Sequence, residues 1–303
     1  VNCMSLSLKL PSNWMRNSIC LVTDKGGGKS TLLARILALN NQKFFTILPK
    51  KMYEFLLLDK GSKYFNNKIL VHDDLIVAFT GLSKKQLDQL LGFFTTLLSE
   101  KKYSRQNAVI KGQNIEIKAD CLCSFGLALE NYQRFVRNMN LATFSDRVVF
   151  ILKKYTDEEK RQTLKLKNDV LPKITLPLSK TKRLVKLKLT PEMEYEIDNL
   201  SLQFDILGLI SWKRAQMHIH VFLMANALLN GRYATNKYDL ELFKFVLQYY
   251  LNAGEISDVR ILRKTIADNQ GVPDQDLIKK LGWSRAKFYR VKSKLRVLNY
   301  GTW

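Results

Sequence analysis

The stretch SICLVTDKGGGKSTLLARILAL, residues 18–39, constrains this chain more than any other. Ser18 to Thr23 is a short apolar run of strand formers, a glycine-rich turn follows, and Ser30 to Leu39 carries apolar residues at helical spacing. Strand, glycine loop and helix, in that order, let backbone N–H groups close around a phosphate. The phosphate-loop pattern is G-x-x-x-x-G-K-[ST]. Thr23 stands where its first glycine belongs, and Gly28, Lys29 and Ser30 fill the rest. Gly26 and Gly27 supply the freedom that Thr23 lacks, and Thr31 follows. In this pattern Lys29 meets the β- and γ-phosphates of ATP, and the Ser30 hydroxyl holds Mg²⁺.

Such a loop needs an acid at the end of a second strand. KILVHDDL, residues 68–75, supplies one: Asp73 to hold Mg²⁺ through water, and Asp74 to orient or deprotonate an attacking water. His72 reads as sheet core. Further strands are predicted at Phe44–Leu48, Asp120–Leu129 and Arg147–Leu152, and a helix at Lys84–Lys102. NAVIKGQNIEIKA, residues 107–119, predicts two short strands around a Lys-Gly-Gln-Asn turn. Strands alternating with helices imply an α/β fold on a parallel sheet.

After Tyr155 long helical patterns take over, notably at Ser211–Gly231 and Asp239–Asn252, beyond a basic linker at residues 171–189 that contains Pro172 and Pro177. From about residue 255 three short helical patterns follow. Pro273 opens the second, Gly282 closes it and Ser284 is placed to cap the third. The expected organisation is a nucleotide-binding α/β core at residues 1–155, a linker and helical lid at 156–254, and a small DNA-binding unit at 255–303.

This order of features resembles the AAA+ ATPases, across roughly residues 15–252. The resemblance implies a P-loop core, a helical lid, ATP with Mg²⁺ as cofactors, and a homo-oligomer, in many members a ring. It assigns Ser124 to the polar sensor strand, where the family more often has Asn. Asp74 takes the place of the usual Glu. Arg147, in NLATFSDRVVFIL, matches the arginine that reaches a neighbouring subunit's site, with Arg134 and Arg137 as competitors. Arg214, in SWKRAQ, matches the lid arginine that senses γ-phosphate. Lys111 sits at the tip of the predicted hairpin, where helicase-like members touch DNA and where a plain surface hairpin fits equally. The tail resembles a winged-helix domain with a short or missing wing. Its third helix presents Arg285, Lys287, Arg290, Lys292 and Lys294 for duplex DNA.

Charge agrees with an anionic partner. The 303-residue chain carries 49 Lys and Arg against 27 Asp and Glu, a net charge of +22. No apolar run reaches the length of a membrane span, so a cytosolic, DNA-associated protein without a membrane partner is expected. Four cysteines show no zinc spacing. Cys121 and Cys123 are read as pointing to opposite faces of their strand. The expected task is ATP hydrolysis on DNA, in replication initiation, helicase loading or unwinding, or a mobile-element process such as transposition. Two alternatives stay open: a slow, nucleotide-switched DNA-binding regulator, and a scaffold NTPase whose winged helix binds protein.

Overall fold

The computed structural model describes residues 6–11, 13–24, 27–29, 45–47, 65–72, 74–106, 114–130, 132, 144, 146–153, 155–165, 184–206, 210–254 and 258–300. Its strands are β1 (Ser18–Thr23), β2 (Phe45–Ile47), β3 (Ile69–His72), β4 (Lys102–Gln106), β5 (Asn114–Lys118), β6 (Leu122–Ala128) and β7 (Val148–Lys153). Its helices are α1 (Leu75–Phe79), α2 (Lys84–Glu100), α3 (Asp157–Lys165), α4 (Pro191–Ile206), α5 (Trp212–Leu229), α6 (Lys237–Gly254), α7 (Asp258–Asp268), α8 (Asp274–Leu281) and α9 (Arg285–Tyr300).

Five strands form one sheet in the order β2-β3-β6-β1-β7, and every neighbouring pair is parallel. A parallel sheet needs cover on both faces, and β1 is buried at all six positions, as that requires. On one face Cys20, Val22, Cys123, Phe125 and Phe150 pack with Leu90, Phe94 and Leu97 of α2. That helix starts on a capping box between Ser83 and Gln86 and ends at Lys101 in the left-handed region, φ 56°. On the other face Ile19, Leu21, Val71 and Val149 pack with Ile197 of α4, Phe222 of α5 and Phe243 of α6. The helices expected to form a lid thus share a core with the sheet.

At the amino edge of the sheet Arg16 is buried and donates to both carboxylate oxygens of Asp120, at 2.7 and 2.6 Å, and to the Ser7 and Leu10 carbonyls. That bidentate pair ties the entry to β1 to the entry to β6.

One expectation needs correction. Cys121 and Cys123 lie in the same core cluster, because side chains two apart in extended chain share a face. A hairpin is present and antiparallel, with Lys102 of β4 opposite Lys118 of β5 and Gln106 opposite Asn114. An exposed Lys102–Glu116 ion pair, at 2.7 Å, runs diagonally across the two strands. The segment 107–113, including Lys111, lies outside the described residues.

Helices α7, α8 and α9 surround their own small core of Leu262, Leu277, Phe288, Val291 and Leu295. Gly282 ends α8 at φ 61°, and the Ser284 hydroxyl accepts from Lys287 N at 3.2 Å, so both caps fall where the sequence put them.

Candidate nucleotide site and basic helix

Ligands of parallel α/β sheets bind beyond the carboxyl ends of the strands, and β1 leads there into the glycine loop. The Thr23 hydroxyl donates to the Asp24 carbonyl (3.0 Å), and Gly27 N donates to the same oxygen (2.9 Å). A side chain at Gly27 would meet Thr23 Oγ1 at 2.3 Å and the Asp24 carbonyl at 2.9 Å. The glycine at 27 therefore accommodates the threonine that replaces the pattern's first glycine. Gly28 has φ 77°, a conformation that disfavours any other residue, and the space where its side chain would stand is open. Tyr155, just past β7, donates to the Gly27 carbonyl at 3.4 Å and links the loop to the neighbouring strand end. Lys29 follows at the start of a helical turn. Gly26, Ser30 and Thr31 lie outside the described residues.

β3 ends at His72, which is buried as expected; its Nδ1 accepts the Asp74 N–H at 3.2 Å and so positions that acid. Asp73 lies outside the described residues. β6 runs between β3 and β1, which sets the Asp74 strand end two strand spacings, about 10 Å, from β1. Both charged groups act on one thiol of β1. Burial pushes the Cys20 thiol far up, the Asp74 carboxylate adds to that rise, and Lys29 opposes it. Gly27, Gly28, Lys29 and Asp74 lie near the carboxyl end of β1, and the expected Mg²⁺ ligands Ser30 and Asp73 lie outside the described residues. The described part of the loop fits a nucleotide triphosphate. No group of three or more metal-ligating side chains occurs among the described residues.

The remaining expected residues are not brought to the loop. Ser124 pairs with Ile19 whereas Ala128 pairs with Thr23, so Ser124 lies four residues, about 13 Å, short of the carboxyl edge. It is buried, and its hydroxyl has no hydrogen-bond partner. Arg147 directly precedes β7, whose Val148 pairs with Ser18 and whose Lys153 pairs with Thr23; it sits at the amino edge, about 20 Å from the loop of its own chain. There its guanidinium hydrogen-bonds Ser99 of α2. Arg214 is held at the same edge by Asp146, at 2.7 Å, and Asp146 also accepts from Ser211 N at the start of α5. Burial, with the nearby Arg214 cation, holds the Arg147 guanidinium below its ordinary range. Asp146 is the organising residue that sequence reasoning missed. It stands next to Arg147, but its partner is 68 positions away.

On α9, Phe288, Val291 and Leu295 are buried, while Arg285, Tyr289 and Arg290 face solvent. Lys287 is half-buried, with its Nζ 4.5 Å from the Trp283 ring centre. Lys292 donates to both carboxylate oxygens of Asp274, at 2.5 and 2.6 Å, and so clamps α9 to α8. Lys294 lies on the same helix.

Fold and loop together define an α/β protein with a parallel sheet and a glycine turn at the end of β1. No protein-family model matches this chain, and no curated protein matches its sequence. Among the described residues no helix is long and apolar enough to cross a membrane.

Proposed function

We propose that this chain is an ATP-hydrolysing, oligomeric protein of the AAA+ type that acts on duplex DNA, in replication initiation, helicase loading or unwinding, or a mobile-element process. The observation that carries the reading is the cradle made by Thr23, Gly27 and Gly28 at the end of β1, with Lys29 and Asp74 beside it. When bound, Mg²⁺-ATP supplies the phosphoanhydride that is hydrolysed. Lys29 holds its phosphates and Asp74 orients the water, with Gly26, Ser30, Thr31 and Asp73 completing the site as the pattern implies. Arg147 is about 20 Å from the loop of its own chain, counted along β7. In this reading it therefore serves the site of a neighbouring subunit. Helix α9 offers Arg285 and Arg290 to DNA as the recognition helix of a winged-helix unit.

A slow, nucleotide-switched regulator is the second reading. The depth of Ser124 and the anchoring of Arg214 at the far edge favour it, because neither group then assists hydrolysis within its own subunit.

ATP turnover with and without duplex DNA, in the wild type beside Lys29→Ala and Arg147→Ala, tests both. The motor reading expects DNA-stimulated turnover, lost in each variant and partly restored when the two are mixed. Turnover indifferent to DNA leaves the switch. No ATP binding by the wild type overturns both.

A further inference from the structure

A second surface lies on the helical region, at the turn from α5 to α6. The segment 184–190 pairs with this turn: Lys186 N donates to the Tyr233 carbonyl at 2.8 Å, Thr235 N to the Lys186 carbonyl at 3.1 Å, and Lys188 N to the Thr235 hydroxyl at 2.8 Å. Residues 184–190 and 229–238 contain Lys186, Lys188, Arg232 and Lys237 and no acid. The nearby Asp239 is fully buried and neutralised: Arg232 donates to it at 2.5 and 2.9 Å, Asn226 Nδ2 at 2.6 Å and Asn236 N at 2.8 Å. Two tyrosines stand out into solvent in this basic setting, Tyr233 at 71% and Tyr238 at 81% exposure.

Beside Tyr238 opens a cleft of about 540 Å³, lined by Asn226, Leu229, Asn230, Arg232, Asn236 and Leu242. An exposed aromatic ring beside an open cleft, with Lys186, Lys188 and Lys237 on the same segments, suits a planar group on an anionic backbone.

We propose that this cleft takes an unpaired base of single-stranded nucleic acid. The base stacks on the Tyr238 ring beside the cleft, while Lys186, Lys188 and Lys237 face the flanking phosphates. Tyr233 gives a second stacking surface. A duplex is not the ligand, because its base faces are already stacked on one another and offer nothing to a tyrosine ring. The site is separate from α9 and independent of ATP, so it stands even where the duplex reading fails.

The test is fluorescence anisotropy with labelled oligo-dA and oligo-dC strands and a duplex of equal length, at one fixed salt concentration. Tyr238→Ala is expected to weaken single-strand binding roughly tenfold, and Tyr233→Ala less, with duplex binding unchanged. Tyr238→Trp keeps the ring and is expected to retain binding. Arg290→Ala is expected to weaken the duplex and spare the single strand. Single-strand binding as in wild type in both alanine variants overturns the proposal and leaves the face to a protein partner. Parallel loss of single strand and duplex in the tyrosine variants, or no single-strand binding by the wild type, overturns it as well.

Discussion

The loop shows how one residue substitutes for the pattern around it. Thr23 brings a side chain to a position where the phosphate-loop pattern has none, and the absence of one at Gly27 makes room for it. Gly27→Ala is therefore expected to strain the loop by about 1–3 kcal/mol and to weaken ATP binding measured by calorimetry. Adding Thr23→Gly should restore part of that binding, because the Asp24 carbonyl remains close to the new methyl group. A single residue also sets a pH response. Asn17 Nδ2 donates to the His218 carbonyl, so Asn17 Oδ1 accepts from His218 Nδ1 at 2.7 Å, and the buried ring is neutral with Nε2 left without a partner. Burial, and then the Arg214 cation, push His218 down to about 3. The unfolded chain takes up this proton near the ordinary histidine range, about 6.5. The fold refuses it until about 3. The stabilising contribution is thus complete above the unfolded value and is lost as pH falls through that window, by at most about 1.4 kcal/mol per pH unit. Urea midpoints from pH 7 to pH 4.5 should fall more steeply for the wild type than for His218→Gln. Equal slopes would show that His218 does not carry the effect.

At the scale of elements, α9 divides its cations between two jobs. Arg285 and Arg290 lie on the solvent face, whereas Lys292 is clamped to Asp274 of α8. Arg290→Ala is expected to lower duplex affinity and to reduce the salt slope of binding by about 1, without changing the melting temperature. Lys292→Ala is expected to destabilise the three-helix unit by about 1 kcal/mol, seen in its thermal unfolding. An affinity loss in Lys292→Ala larger than that in Arg290→Ala would reverse this division. The periodicity that marked α9 as basic could not separate the two groups, since Asp274 is 18 positions away and on another helix.

For the whole molecule the deciding feature is the two-sided sheet. Ile19, Leu21, Val71 and Val149 meet α4, α5 and α6, so the region after residue 155 is part of the same core as the region before it. A chain ending at residue 155 would expose that face and is expected to aggregate rather than fold. Phe222→Ala, in α5, is expected to cost about 3–5 kcal/mol and to lower the stability of sheet and helices in one transition. Two separate transitions, with the sheet unaffected, would instead mark the helices as an independent lid.

Local chemistry was legible in the sequence. The strand Ser18–Thr23, the glycine loop, helix α2, and the Gly282 and Ser284 caps all follow from short-range pattern and backbone freedom. Helices α1, α3 and α4 were not singled out; α4 spreads its buried residues among five acids and shows little periodic contrast. What tertiary structure alone decided is where residues stand relative to one another. Strand register put Ser124 four residues below the carboxyl edge and Arg147 at the opposite edge from the loop. Side-chain pairing across 68 positions put Arg214 beside Asp146. Face alternation put Cys121 and Cys123 into one core. Propensity and motif act within a few residues, but register and burial depend on which strands become neighbours, and that is settled only when both faces of the sheet are covered.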